Sequence, residues 1–258
     1  YEGIARRSRR MRLVAISEAQ RTMAPSLPFA GVCHNGLALD DAPFSAQPDD
    51  YLAFLGRMSP EKGVAEAIRI ARGAGLPLLI GAKCREPAER EYFERNVAPA
   101  LGPDVFWLGE LDAAEKYALL AGARALLFPI SWPEPFGMVM IESMACGTPV
   151  LATARGSVPE VVAEGVTGFV RATPEELIDT VGRIPEIDRR ACRRWVEQKF
   201  SAAAMTDGYE RLVRTELAGL KHWNRAHRVA SRGTTRARLP SERAAEPIRL
   251  AGVKEAGG

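Results

Sequence analysis

Short apolar runs alternate with longer amphipathic segments along most of this chain. The runs Leu13–Ile16, Tyr51–Leu55, Pro77–Ile80, Val105–Leu108, Ala125–Phe128, Val150–Ala152 and Gly168–Val170 have the length and apolar character of buried strands. Between them, segments near 61–73, 87–100, 112–121, 137–146, 157–163 and 174–182 carry helical periodicity, and 187–199 and 202–220 read as two closing helices. Strand–helix alternation at this spacing implies βαβ units and a parallel sheet flanked by helices. Asn35-Gly36 is a turn signal followed by the loop-like LALDDAPFSAQPDD, which places a boundary there. The expected division is a remnant of a preceding domain with its linker over 1–45, a sheet domain over 46–190, closing helices over 191–223, and a tail over 224–258 without order.

One segment breaks the pattern. From Gly137 to Val150 the chain is apolar on every side except for Glu142. A helix apolar all round is a buried helix, and a buried carboxylate needs a partner. A second carboxylate, Glu134, lies just upstream between Pro133 and Pro135. Gly137, Met138 and Val139 begin the helix, so their N–H groups lack intrahelical partners and form an anion site with the helix dipole. Glu142 lies about 7.5 Å further along the axis. An anionic group at the helix start and hydroxyl groups beyond it would satisfy both features. Pairing of Glu142 with a nearby Arg or backbone group is the plainer alternative.

Two strand ends add chemistry. Tyr51–Leu55 runs into GRMSPEKG, where Gly56 permits a sharp exit and Ser59-Pro60-Glu61 reads as a helix start. Arg57 and Lys62 then flank the carboxyl end of the strand, where ligands sit in open α/β sheets. They suit a pyrophosphate, or are two solvated surface charges. Val105–Leu108 ends in Gly109, Glu110 and Leu111, with Asp112 as N-cap of the next helix. A flat base could rest on that turn, which is otherwise an ordinary strand end. Ser17-Glu18 reads either as a ligand contact across a cleft or as a helix cap. His34 reads as a linker residue, and Trp107 and Trp132 as packing residues.

Composition narrows the classes. With 258 residues, 47% hydrophobic and 26% charged, the chain is of ordinary globular composition. No apolar run approaches the roughly 20 residues of a membrane span. Cys33, Cys84, Cys146 and Cys192 are widely spaced, which points to free thiols in a reducing cytoplasm. The net charge of +3 conceals a local +6 over 221–258 and +4 over 1–12, leaving the body at −7. That distribution argues against a nucleic-acid groove in the folded domain. The basic ends leave open a peripheral membrane contact. No DxD, GxGxxG or P-loop occurs, so metal and cofactor are both expected to be none. The first residue is Tyr1 rather than Met, which reads as a piece of a longer chain.

GRMSPEKG, FWLGEL, EPFGMVMIESMACGTPV with its E-x7-E spacing, and GSVPEVVAEGVTGFV follow one another in an order and at separations similar to one family. They resemble the C-terminal, donor-binding half of family 4 retaining glycosyltransferases, of GT-B fold. The match covers roughly 50 to 185, with a weaker one over AISEAQR and VCHNGL. The resemblance implies a Rossmann-like sheet as one half of a GT-B enzyme. It implies transfer of a sugar from a nucleotide diphosphate sugar, UDP-glucose as first choice, to an unknown acceptor with retention, the sugar being set by residues around Glu134 with help from Ser131-Trp132. Arg57 and Lys62 would hold the diphosphate, and Glu134 the sugar hydroxyls. Backbone amides of Phe136, Gly137, Met138 and Val139 would meet sugar and phosphate. Glu142 would bind ribose, while Gly56 and the Gly109, Glu110, Leu111 turn would lie near the nucleotide. Only the last strand of the family's N-terminal domain is expected, in residues 1–30. A non-catalytic nucleotide-sugar binding module is therefore the alternative.

Overall fold

The computed structural model describes residues 11–40 and 42–232. The chain divides into two compact units, Tyr1–Arg214 and Thr215–Gly258.

The described residues of the first unit form two sheets. Strands β1 (Leu13–Ala15) and β2 (Phe29–Val32) pair in parallel, joined by helix α1 (Glu18–Met23). The second strand escaped the sequence reading, because FAGV between Pro28 and Cys33 offers only four residues and no alternation. Among the described residues, the segment before residue 33 thus holds two strands rather than the one expected.

The main sheet has six strands, β3 (Leu52–Arg57), β4 (Leu78–Lys83), β5 (Val105–Gly109), β6 (Ala125–Phe128), β7 (Val150–Thr153) and β8 (Gly168–Arg171). Every pair is parallel, in the order β5-β4-β3-β6-β7-β8. The fold is therefore the expected α/β class. Strands β6 and β7 are buried along their whole length, as a parallel sheet covered on both faces requires. The connections advance to one edge from β3 and to the other edge from β6. The carboxyl ends of β3 and β6 thus diverge at the point where such sheets open a ligand crevice.

Helices cover the sheet: α2 (Val64–Gly73), α3 (Pro87–Tyr92), α4 (Ala113–Gly122), α5 (Met138–Ala145), α6 (Val158–Val161), α7 (Pro174–Val181) and α8 (Arg189–Lys199). Helix α2 buries Val64, Ala67, Ile68, Ile70 and Ala71, an apolar stripe at helical spacing. Helix α5 buries Met140, Ile141, Ser143, Met144 and Ala145 and packs against α8.

Two sequence boundaries move. The helix expected from residue 61 is split: a single 3-10 turn, Pro60–Lys62, ends at Gly63 and α2 starts anew. Gly63 is left-handed, with φ of 79°, and a side chain there would collide with the carbonyl of Pro129. That close approach sets Lys62 against the loop after β6. The last helix, α9 (Ala202–Arg232), runs well past the expected end near 220. Residues 224–232, expected to lack order, lie in that helix, and 233–258 lie outside the described residues. The described part of the second unit is the end of α9.

Candidate functional site

A cavity of about 350 Å³ opens at the carboxyl ends of β3 and β6. It is lined by Leu55, Gly56, Arg57, Lys62, Phe128, Glu134, Gly137, Met138, Val139 and Glu142. Eight of the residues singled out from the sequence therefore meet around one space. Their elements explain why. Strand β3 delivers Gly56 and Arg57, the 3-10 turn delivers Lys62, the loop after β6 delivers Glu134, and the first turns of α5 deliver the rest.

Glu134 is the most constrained member. Its backbone carbonyl accepts the Ser157 N–H at 2.9 Å. Gly156, left-handed with φ of 54°, lies flat against the Glu134 backbone, where a Cβ would overlap the Glu134 nitrogen and oxygen. On the other flank the Ser17 hydroxyl donates to the Pro135 carbonyl at 2.5 Å. The carboxylate is mostly buried. Its Oε2 accepts from Lys62 Nζ at 2.6 Å and from the Trp132 indole Nε1 at 3.1 Å. The Lys62 ammonium also sits 4.6 Å from the centre of the Trp132 ring.

Glu142 lies in the second turn of α5. Its Oε1 accepts from Lys116 Nζ, on α4, at 2.8 Å. In both glutamates the second carboxylate oxygen has no hydrogen-bond partner among the described residues. Each lysine is mostly buried beside its glutamate, 16% and 24% exposed for Lys62 and Lys116. A mostly buried ion pair with one oxygen to spare is a ready acceptor for hydroxyl groups.

Helix α5 begins at Gly137, and no side chain caps it. Its free N–H groups and dipole favour an anion at this end of the cavity. Arg57 stands at the rim, half exposed, paired with Glu61 at 3.2 Å. Burial alone would push the Glu61 carboxyl up. Hydrogen bonds from its own N–H and the Ser59 hydroxyl, with the charges of Arg57 and Lys62, outweigh that and hold it below the usual range.

Other expected residues do not reach the lining. Gly109 ends β5 and Glu110 and Leu111 follow it, and none of the three lines the cavity. Leu111 packs over Gly81 of β4, and Glu110 pairs with Arg85 at 2.6 Å. The Phe136 ring is buried against His34 and Phe200. Ser17 caps α1 by accepting from Gln20 N at 2.9 Å, the second of its two readings. His34 lies 3.2 Å from Glu160, whose carboxylate also accepts the N–H groups of Glu18 and Ala19 at 2.8 Å each. Trp107 packs on Phe93 and donates to the Ala82 carbonyl at 3.1 Å.

Four residues at the site do more than the sequence reading assigned to them. Trp132, read as packing or, with Ser131, as a help in setting the donor sugar, is a hydrogen-bond donor to Glu134. Lys116 carried no signal beyond a basic residue one turn into the helix after β5. Gly156 and Ser157 were visible only as part of the GSVPE motif.

Residues 39–201 match the family model described as Glycosyl transferases group 1. Alpha-maltose-1-phosphate synthase of Mycolicibacterium smegmatis is 35% identical over 125 residues, covering 46% of this chain and 32% of that protein. D-inositol 3-phosphate glycosyltransferase of Corynebacterium efficiens is 35% identical over 128 residues, covering 46% and 30%. The crystal structure of AviGT4, a glycosyltransferase involved in Avilamycin A biosynthesis, is similar with a TM-score of 0.68 at 27% identity, covering 80% of this chain and 63% of that one. The chain spans about a third of the length of the curated relatives it matches.

Proposed function

The chain belongs to the group 1 glycosyl transferases, with the α/β fold of GT-B enzymes, and from that premise we propose that its cleft holds a nucleotide diphosphate sugar. The observation that carries the proposal is the pairing of two half-satisfied carboxylates with an uncapped helix start in one cavity. Lys62 and Arg57 bind the diphosphate, together with the backbone N–H groups of Gly137, Met138 and Val139. Glu134 accepts from the sugar hydroxyls through its free oxygen. Glu142 accepts from the ribose hydroxyls in the same way. Gly56 leaves the strand end open to the nucleotide. Leu55 and Leu111 lie on the side where the base would rest.

The chemistry is electrostatic. As the bond from sugar to diphosphate breaks, negative charge grows on the departing phosphate oxygen. Fixed cations and the helix dipole stabilise that charge without reorganising, which lowers the barrier. In the family 4 reading the acceptor hydroxyl attacks the sugar from the face the diphosphate leaves, and configuration is retained. The donor is UDP-glucose as first choice, on the strength of the family resemblance. The acceptor is left open, since the match covers 32% and 30% of those relatives' length. The four free cysteines favour the cytoplasm, and no helix among the described residues is long and apolar enough to cross a membrane.

A thermal-shift screen of UDP-, GDP- and ADP-sugars tests the donor. A ligand at 100 times its Kd adds about 2.7 kcal/mol to stability, roughly 5–10 °C for a domain of this size. No shift with any nucleotide sugar at millimolar concentration refutes the proposal.

A further inference from the structure

Lys62 and Glu134 serve opposite ends of the proposed donor, the diphosphate and the sugar, yet they touch at 2.6 Å. A phosphate entering the cleft competes for the Lys62 ammonium. If the lysine were the sole holder of Glu134, the carboxylate would lose its orientation as the nucleotide bound. Trp132 offers a second holder. Its indole N–H, which can only donate, reaches the same Oε2 at 3.1 Å. Its ring lies 4.6 Å from the Lys62 ammonium and gives the cation a second seat. The ring is itself held on a constrained segment. Ser131 N–H donates to the Glu61 carbonyl at 3.1 Å, and Pro133 follows. Both donors use Oε2, and Oε1 accepts no hydrogen bond among the described residues.

We propose that Trp132 is a positioning residue, and that its indole N–H keeps Glu134 aimed at the donor sugar when Lys62 turns to the diphosphate. The proposal rests on the nucleotide-sugar reading of the cleft. A tryptophan that merely packs would be served by any large apolar side chain. The N–H separates the two roles. Its loss should affect recognition of the sugar and leave recognition of the nucleotide alone.

The test uses the full 258-residue chain and three proteins: wild type, Trp132→Phe and Trp132→Leu. Phe keeps an aromatic face and removes the donor, while Leu removes both. Calorimetry gives the affinity of each for UDP and for UDP-glucose. In Trp132→Phe, UDP affinity stays at the wild-type value and UDP-glucose affinity falls about tenfold, the size of one hydrogen bond to a charged group. In Trp132→Leu both affinities fall, because Lys62 loses its seat. Equal weakening of UDP and UDP-glucose in Trp132→Phe, or wild-type affinity for both in each variant, overturns the proposal.

A second measurement needs no ligand. The indole cross-peak of Trp132, identified by its loss in Trp132→Phe, moves in Glu134→Gln if the hydrogen bond exists, and stays in place if it does not. If the wild-type protein binds neither ligand, the donor reading itself falls. A moving cross-peak then leaves the Trp132–Glu134 bond without a sugar to serve, and a fixed one removes the bond as well.

Discussion

The two carboxylates of the cleft are eight residues apart in sequence, share one cavity and each meet a lysine, yet they are held by different means. Glu142 is placed by its helix. Its backbone bonds are those of α5, and only its lysine comes from elsewhere. Glu134 is placed by closure of a loop. The 3-10 turn supplies Lys62, the segment after β7 supplies Gly156 and Ser157, and α1's cap supplies Ser17. The lesson is that a regular helix can present a polar group with little outside help. An irregular loop needs contacts from several distant segments to fix the same group. The Glu134 side should therefore be the more easily disrupted, and the Glu142 side the more tolerant.

The largest effect is expected at Gly156. Alanine there adds left-handed strain and overlap with the Glu134 backbone, a cost of roughly 2–4 kcal/mol. Gly165 is also left-handed, with φ of 70°, but has open space around it. Gly165→Ala should cost only about 1–2 kcal/mol. Urea unfolding of the two variants separates strain from collision, and equal losses would dismiss the clamp on Glu134.

Next come the carboxylates. Glu142→Ala should weaken UDP and UDP-glucose alike by about 1.5–3 kcal/mol, whereas Glu134→Gln should weaken only UDP-glucose, by a similar amount. Calorimetry with both ligands checks this. A variant pair with indistinguishable profiles would erase the division between a ribose end and a sugar end.

The lysines give a smaller contrast. Lys116→Met leaves Glu142 on a rigid helix and should reduce UDP affinity by about 0.5–1.5 kcal/mol. Lys62→Met removes a phosphate contact as well as a carboxylate partner and should cost more. The comparison breaks if Lys116→Met is the worse of the two.

The smallest effect concerns pH. The Glu61 carboxyl is held below its ordinary value of 4.5 in the folded protein. Its contribution is complete above that value and is lost as pH falls through the lower folded one. Wild type should lose slightly more stability than Glu61→Gln when unfolding is followed from pH 5 downward. Parallel curves would show that Glu61 adds nothing through its charge.

Much of this was legible in the sequence, and the exceptions have a common character. The strands at 125–128 and 150–153 could be read because a parallel sheet buried on both faces demands continuous apolar runs. Glu134, Gly137 and Glu142 could be read because a lone charge in an apolar helix, and a carboxylate locked between prolines, are local anomalies. Strand β2 was missed because four residues carry too little period. The helix start at Ser59 was read correctly, but not the break at Gly63, which turns left-handed where Pro129 comes close.

By itself the sequence determined the elements, their parallel arrangement and the residues with unusual chemistry, since each follows from periodicity, turn chemistry or composition over a few neighbouring positions. The tertiary structure alone decided that Lys62 and Trp132 share one oxygen of Glu134, that Lys116 holds Glu142, and that Gly156 presses on the Glu134 backbone. Apart from Trp132, these partners are 72, 26 and 22 positions away in the chain. No local period encodes a meeting between them. It is set by the order in which the strands join the sheet, and by which strand ends that order brings side by side.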